Sequence, residues 1–144
     1  MKVSVVIPTL NEEKNIERAL RSVRGQRCDY DIELIVCDGN SEDRTVEIAE
    51  KYADRVVISP RRSVAYQRNL GASFAGGDIL VFMDADTYMR PFYMEKVISA
   101  FDDETVALTT AFDLGPITTK NRIYSTLASG WLWVRVYLKS PTLP

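Results

Sequence analysis

The sequence predicts an α/β domain built on a mostly parallel sheet. From residue 3 to residue 110, short apolar runs rich in β-branched residues alternate with segments whose apolar residues recur at helical spacing. This alternation is typical of strand–helix–strand units, in which the strands run parallel. Polar clusters follow the predicted strands, and the carboxyl ends of parallel strands meet at one sheet edge. A length of 144 residues suits one such domain with a continuous core.

The first half of the chain predicts two strands and two helices. Residues 3–7 are a strand buried on both faces, because the run is apolar and β-branched. Asn11 is predicted to cap a first helix that Gly25 ends. Residues 32–37 form the second strand, and Ser41 is predicted to cap the second helix. The predicted inward positions of the two helices are Ile16, Ala19, Leu20, Val23, Val46, Ala49 and Ala53.

The second half continues the same alternation. Short strands are predicted at 56–58 and 105–110, and the most apolar strand of the chain at 79–83. A helix is predicted over 63–74, and Pro91 suits the first turn of another. The inward positions of that last helix are Met94, Val97, Ile98 and Phe101.

Composition narrows the function classes. The chain has no histidine, which removes imidazole acid–base chemistry and histidine metal ligands. Its net charge of −2 offers no electrostatic reason to expect nucleic-acid binding. Cys28 and Cys37 form no metal-ligand pair, as expected of a reduced cytoplasmic protein. The first strand–helix turn has no glycine and no P-loop motif occurs, which argues against dinucleotide and P-loop enzymes.

Asp84 and Asp86 are the strongest candidates for chemistry. They flank Ala85 directly after the most apolar strand. If this stretch is extended, both carboxylates point the same way and repel each other, and a divalent cation such as Mn²⁺ or Mg²⁺ relieves the repulsion. Such a metal binds a diphosphate and stabilises the charge that develops as it leaves. The alternative is a solvated loop after a strand.

Two other side chains belong to the same predicted sheet edge. Asp38 ends the second strand, where a carboxylate can accept hydrogen bonds from a nucleobase; alternatively, it only shapes the turn. Arg68 lies on the third predicted helix, and its guanidinium can neutralise phosphate. Arg61 and Arg62 precede that helix and indicate a solvated face or, alternatively, a loop that faces phosphate.

Three ordered segments resemble one known family. They are VVIPTLNE at 5–12, CDGNSEDRT at 37–45, and RNLG at 68–71 followed by GDILVFMDAD at 77–86. In this order they resemble family 2 glycosyltransferases of the GT-A fold, over residues 3–112. The resemblance implies a Rossmann-like, three-layer α/β/α sandwich with a mostly parallel central sheet. It also implies transfer of a sugar from a UDP- or GDP-sugar, usually with inversion, to an acceptor hydroxyl that a carboxylate base deprotonates.

The resemblance implies roles for the matching residues. Asp38 would contact the base, with Arg68 and Asn69 near the nucleotide. Asp84 would approach the ribose or the sugar and share in metal binding, while Asp86 would be the principal ligand of Mn²⁺ or Mg²⁺. The remaining residues implied to line the nucleotide-sugar pocket are Pro8, Thr9, Asn11, Glu12 and Ala85.

The catalytic base is not supplied by these residues. In the family it comes from an acidic motif in the acceptor-binding half, well downstream, whereas Asp113 is the last acidic residue of this sequence. We therefore expect a fragment, with a nucleotide-sugar-binding domain over 1–115 and an incomplete, amphipathic acceptor-side segment over 116–144. We expect such a fragment to bind the nucleotide sugar and the metal but to transfer the sugar poorly.

Residues 120–139 predict one amphipathic helix that carries cations and two tryptophans. Such a helix suits a membrane interface and a lipid-linked acceptor, or packing on the domain or on a second copy through 119–139. The first apolar run is too short for a signal peptide, and no run reaches the roughly 18 apolar residues of a membrane span. The expected location is cytoplasmic, with or without contact to the inner face of the membrane.

Two alternatives come from other functional classes. Residues 84–87, DADT, also fit the D-x-D-x-T pattern of haloacid-dehalogenase-like phosphatases, with Asp84 as nucleophile, but this leaves residues 1–77 unexplained. The other alternative is a non-catalytic module that binds a nucleotide sugar.

Overall fold

The computed structural model describes residues 1–99, 108–111 and 134–138. Strands and helices alternate along it, which confirms the predicted α/β class. The elements are β1 Lys2–Thr9, α1 Ile16–Arg24, β2 Asp31–Asp38, α2 Thr45–Ala49, β3 Arg55–Ile58, α3 Val64–Ser73, β4 Ile79–Phe82, α4 Tyr93–Ile98, β5 Leu108–Ala111 and β6 Val134–Leu138.

The described strands form one sheet with the order β3-β2-β1-β4-β6-β5. β1 pairs in parallel with β2 over its whole length, up to Thr9 opposite Asp38. It also pairs in parallel with β4, up to Val6 opposite Phe82. β6 is antiparallel to both of its neighbours. Because β1, β2 and β4 point the same way, the segments that follow them lie at one edge of the sheet.

Helices cover both faces of the sheet, so the domain has three layers. The inward residues of α1, α2 and α4 pack on one face, in a cluster that includes Val3, Val5 and Ile7. In α2, Ile48 packs on this cluster in place of the predicted Val46. Val6, which alternates with these residues, packs on the opposite face with Ile35 and Phe82, beneath Ala72 of α3 and the following Ala75. β1 is therefore buried on both faces, as predicted. Each fully buried aliphatic side chain contributes roughly 1.5–3 kcal/mol to this core.

Gly71 brings α3 into close contact with the sheet. A Cβ atom at this position would collide with the side chain of Val6. Without a side chain at Gly71, the helix backbone approaches β1 closely. Arg68 lies one helical turn before Gly71 and is thereby held near the carboxyl end of β1.

The predicted caps of α1 and α2 are wrong. α1 begins at Ile16 and α2 at Thr45, several residues after Asn11 and Ser41. The two polar residues instead join the loops that follow β1 and β2. The backbone N–H of Asn11, which has a left-handed φ of 55°, donates to Ser41 Oγ at 2.8 Å. The Asn11 side-chain oxygen accepts the Glu42 N–H at 2.8 Å, so these loops hold each other in place.

The helix predicted over 120–139 is wrong at its end, where Val134–Leu138 is a strand. The sequence VRVYL alternates apolar residues with Arg135 and Tyr137, which is also a strand pattern. Strand pairing decides between helix and strand. β6 lies beside β4 and pairs with the edge of β4 that β1 leaves free. Residues 112–133, which include most of the predicted helix, lie outside the described residues.

The predicted strand at 105–110 is present as β5, whose described residues are Leu108–Ala111. Among the described residues, no helix has both the length and the apolar character needed to cross a bilayer.

Candidate functional site

A cavity of about 310 Å³ opens at the carboxyl edge of the sheet. Three segments form its wall: the end of β1 with the following loop, the start of α3 with the loop before it, and the turn after β4. The lining residues are Pro8, Thr9, Leu10, Glu12, Arg62, Val64, Gln67, Arg68, Asp84, Ala85 and Asp86. The convergence of polar groups predicted for this edge is therefore present in the fold.

Most of the predicted site residues line this one cavity. Seven do so: Pro8, Thr9, Glu12, Arg68, Asp84, Ala85 and Asp86. Asn11, Asp38 and Asn69 do not belong to the lining. Asn11 connects two loops beside the cavity, and Asn69 is exposed on α3. The roles of all ten residues toward a ligand stay predictions.

Arg68 and Asp84 form an ion pair inside the cavity. Arg68 Nη2 donates to Asp84 Oδ1 at 2.6 Å, and both side chains are about one-third exposed or less. The pair connects the helix α3 to the turn after β4, sixteen residues further along the chain. Among the described residues, the buried Nε of Arg68 has no hydrogen-bond partner. Arg68 thus compensates the charge of Asp84 and retains an unused donor.

Asp86 has a different environment. Its carboxylate is exposed, and among the described residues Oδ1 accepts one long contact, from the Thr87 hydroxyl at 3.5 Å. Ala85 between the two acids is 5% exposed and belongs to the core cluster, which fixes the backbone of the motif. Asp86 is therefore the carboxylate of this pair that is available to a ligand.

The segment 84–87 is not extended, contrary to the sequence-based assumption. The N–H of Thr87 donates to the carbonyl of Asp84 at 3.1 Å, which closes a turn over residues 84–87. β4 ends at Phe82, opposite Val6, so beyond it no parallel ladder keeps the chain straight. Both carboxylates nevertheless line the same cavity.

Asp38 is fully buried behind the cavity wall. It accepts hydrogen bonds from the Thr9 hydroxyl at 2.8 Å, the Ser41 N–H at 2.7 Å and the Ser41 hydroxyl at 2.6 Å. The parallel register brings Thr9 and Asp38 side by side. Thr9 lines the cavity, so Asp38 supports the wall through its neighbour.

Gln67 is a wall residue that was not among the predicted site residues. It is 2% exposed, and its Nε2 donates to the Thr9 carbonyl at 2.9 Å. A Cβ atom at Gly39 would collide with the Gln67 amide, so this glycine makes room for the contact. Gln67 therefore ties α3 to the end of β1. Its only signal in the sequence is a polar residue next to Arg68.

Leu10, Val64 and Arg62 are further lining residues. Leu10 and Val64 are exposed apolar side chains at the rim, at 36% and 51% exposure. Neither was predicted to line the site, because isolated apolar residues in loops are common. Arg62 was predicted to face solvent or phosphate, and it lines the cavity.

The carboxylates of the cavity suit a metal ion that is coordinated partly by the protein and partly by a diphosphate. Within the part of the chain that the structure describes, no three His, Cys, Asp or Glu side chains cluster closely enough to enclose a metal. Mg²⁺, however, is usually held by one or two carboxylates together with phosphate oxygens. Asp86 and Asp84 supply that number.

Comparison with known proteins identifies the family. Residues 4–140 match the model of the family described as Glycosyl transferase family 2. This chain belongs to glycosyltransferase family 2. The family assignment leaves no support for the phosphatase alternative.

Curated relatives agree with this assignment. An uncharacterized glycosyltransferase of Bacillus subtilis (strain 168), YfnE, is 38% identical over 109 residues, which cover 72% of this chain and 28% of the relative. The hyaluronan synthase of Streptococcus pyogenes is 30% identical over 132 residues, which cover 84% of this chain and 30% of that enzyme. The family 2 chain thus spans about 30% of the length of these relatives.

Solved structures confirm the GT-A fold. Staphylococcus aureus TarS 1-349 in complex with UDP superposes with a TM-score of 0.62 at 34% identity, over 72% of this chain and 32% of TarS. The mannosyltransferase PcManGT from Pyrobaculum calidifontis, in complex with GDP-Man and Mn²⁺, has a TM-score of 0.77 at 23% identity, over 96% of this chain and 44% of that one. At that identity the second likeness is one of fold.

Proposed function

We propose that this chain is the donor-binding part of an inverting glycosyltransferase that holds a nucleotide-diphospho-sugar through Mn²⁺ or Mg²⁺. The observation that carries the proposal is the grouping of Asp84, Asp86 and Arg68 on the wall of one cavity, in a chain of glycosyltransferase family 2. The complex of TarS with UDP supports a uridine nucleotide as one candidate donor. A GDP-sugar is the other candidate.

The metal would be held by Asp86, with Asp84 beside it. Bound there, it would supply positive charge to the diphosphate, which becomes the leaving group. Asp86 suits this role because it is exposed and the residues that the structure describes give it a single weak contact. Asp84 is already paired with Arg68 and is therefore kept in a fixed orientation. That pairing keeps the second carboxylate close without leaving two unscreened charges together.

Arg68 would also interact with the donor directly. Arg68 lines the cavity, and its buried Nε has no hydrogen-bond partner among the described residues. A buried guanidinium N–H without an acceptor is unfavourable, and a phosphate oxygen is a good acceptor for it. We therefore assign Arg68 two functions, to orient Asp84 and to donate a hydrogen bond to the nucleotide.

Transfer needs a base that deprotonates the acceptor hydroxyl, and none of the proposed site residues is assigned that role. No Asp or Glu follows Asp113 in the sequence, so the acceptor-side segment contains no carboxylate after that position. We propose that the 144-residue chain binds the donor but does not sustain turnover. The acceptor, a sugar or a lipid-linked molecule, and a cytoplasmic location are further parts of this proposal. The location rests on Cys28 and Cys37, which form no disulfide with each other.

Calorimetry tests the proposal. We expect the purified chain to bind UDP or GDP in Mn²⁺ or Mg²⁺, and to lose most of that affinity when EDTA removes the metal. Binding of neither nucleotide, or equal binding with and without metal, would refute the proposed site. Robust multiple-turnover transfer by the 144-residue chain would refute the absence of a base.

A further inference from the structure

Arg62 lines the cavity, and its two contacts with other described residues are both exposed. Its Nη2 donates to the carbonyl of Asn40 at 3.1 Å and to Glu42 Oε1 at 2.5 Å. Among the described residues, its other guanidinium nitrogens have no hydrogen-bond partner. The side chain is about half exposed, at 49%. Arg62 can therefore rotate toward a ligand without breaking a buried network.

Glu42 presents its carboxylate from a fixed backbone. Its N–H donates to the Asn11 side chain at 2.8 Å, which anchors the loop after β2 to the loop after β1. The Glu42 side chain itself is 73% exposed. Ion pairs at such exposure contribute little net stability, because water screens the charges. A stronger anion inside the cavity would therefore displace Glu42 from Arg62.

The negative charge that lines the cavity favours a second cation when a diphosphate binds. Three carboxylates line it, those of Glu12, Asp84 and Asp86, and Arg68 is already paired with Asp84. A nucleoside diphosphate adds further negative charge, and one divalent metal does not balance the whole set. Arg62 is the second cation of the lining.

We propose that Arg62 exchanges Glu42 for the diphosphate of the donor, and that Glu42 acts as an internal competitor that lowers donor affinity. This inference rests on the proposed function, because it assumes that a nucleoside diphosphate enters the cavity. The exchange involves only hydrogen bonds and an ion pair. Guanidinium–phosphate bonds are charge-assisted and frequently bidentate, whereas the contact with Glu42 uses a single nitrogen, so the exchange favours the ligand.

Two substitutions with opposite expected effects test this inference. Arg62→Gln should raise the Kd of the nucleoside diphosphate in Mn²⁺ about tenfold, because one charge-assisted contact is lost. Glu42→Gln should lower that Kd about twofold to fivefold, because the competitor is removed. The double variant should resemble Arg62→Gln, since the competitor has no effect once its target is absent. A gain in affinity cannot result from misfolding.

The probes distinguish the diphosphate from the base and the ribose. Pyrophosphate with Mn²⁺ should compete with the nucleotide about tenfold less well in Arg62→Gln than in the wild type. Arg55→Gln is the matched control, because Arg55 begins β3 and its guanidinium lies over the Phe74 ring, 5.1 Å from its centroid. It should leave both affinities unchanged.

The inference and the proposed function fail in different ways. If the wild type binds no nucleoside diphosphate, the proposed function is wrong. If the wild type binds but Arg62→Gln binds equally well, or loses nucleotide affinity and keeps pyrophosphate affinity, the role of Arg62 is wrong. If Glu42→Gln binds no better than the wild type, the competition is wrong.

Discussion

At the amino end of the sheet, Glu33 accepts hydrogen bonds from Lys2 at 2.8 Å, from Ser4 at 2.5 Å and from the N–H of Gly76 at 2.8 Å. At the carboxyl end, Asp86 has one hydrogen-bond contact within the described part of the chain, at 3.5 Å. Both are acidic residues beside parallel strands of one sheet. The first is saturated with donors from the protein itself, whereas the second has nearly all of its acceptor capacity unused.

The difference separates a carboxylate that stabilises the fold from one that is available for binding. Burial of the Glu33 carboxyl favours its neutral form, but hydrogen bonds from Lys2, Ser4 and Gly76 outweigh this and lower its pKa to about 2. Glu33 therefore connects β1, β2 and the loop before β4. Asp84 is intermediate between these two carboxylates. It accepts a hydrogen bond from Arg68, and Arg68 in turn has a buried N–H without a partner among the described residues.

The largest expected effect is at the unsaturated end. Asp86→Asn should weaken metal-dependent binding of the nucleotide on the order of 100-fold. Loss of a direct metal ligand should lower the affinity at least as much as loss of a residue that only supports a ligand. The melting temperature should stay within about 1 °C of the wild type, since an exposed side chain with one weak contact adds little stability. Calorimetry in Mn²⁺ and thermal unfolding measure the two effects.

Asp29→Asn is the matched control for this substitution, because Asp29 is exposed and precedes β2 at the opposite edge of the sheet. It should change neither property. An Asp86→Asn variant that binds as tightly as the wild type would contradict the assignment of Asp86 as a metal ligand.

A smaller effect is expected at Asp38, the saturated carboxylate of the carboxyl end. Asp38→Asn should lower the free energy of unfolding by about 2 kcal/mol, because an amide cannot accept from Thr9 and Ser41 at both of its ends. Urea denaturation measures this loss. Unchanged stability would contradict the supporting role. If Asp38 contacts the nucleobase as predicted, the ratio of the affinities for UDP and GDP should change in the Asp38→Asn variant.

The smallest effect is expected at Glu33. Glu33→Gln should lower the free energy of unfolding by about 1–2 kcal/mol, because it replaces a charge-assisted set of hydrogen bonds by neutral ones. Nucleotide affinity of the folded variant should equal that of the wild type, since Glu33 lies at the other end of the sheet. A loss of affinity without a loss of stability would contradict the separation between the two ends.

The pH dependence of stability checks the same residue. The pKa of Glu33 is about 2 in the folded chain against an ordinary value of 4.5, so its carboxylate stabilises the fold fully above 4.5. Between pH 4.5 and 2 the unfolded chain takes up the proton first, and this contribution falls. The wild type should therefore lose more stability than Glu33→Gln over that range, in urea titrations at fixed pH values. Parallel profiles would contradict the lowered pKa.

The strands and helices followed from local patterns because each pattern repeats within its own segment. Residues 3–7 form a short, mostly apolar run rich in β-branched residues, and the apolar residues from Ile16 to Val23 recur at helical spacing. The pattern at residues 134–138 is ambiguous, since VRVYL fits a strand as well as the end of an amphipathic helix. Pairing with β4, more than fifty residues earlier, decided the outcome. A local pattern contains no information on such a partner.

By itself, the sequence determined the class of the fold, the edge at which polar groups meet, and the seven predicted residues that line one cavity there. The class and the edge depend on the direction of parallel strands, which the alternation of elements specifies. The seven residues were implied by the ordered motifs that resemble the family. Only the tertiary structure decided what each acid contacts. Asp84 pairs with Arg68, and Asp38 accepts hydrogen bonds from Thr9 and Ser41. Asp86 accepts one 3.5 Å contact among the described residues. These contacts cross between elements, and their distances depend on how helices and loops pack on the sheet rather than on the residues next to each acid.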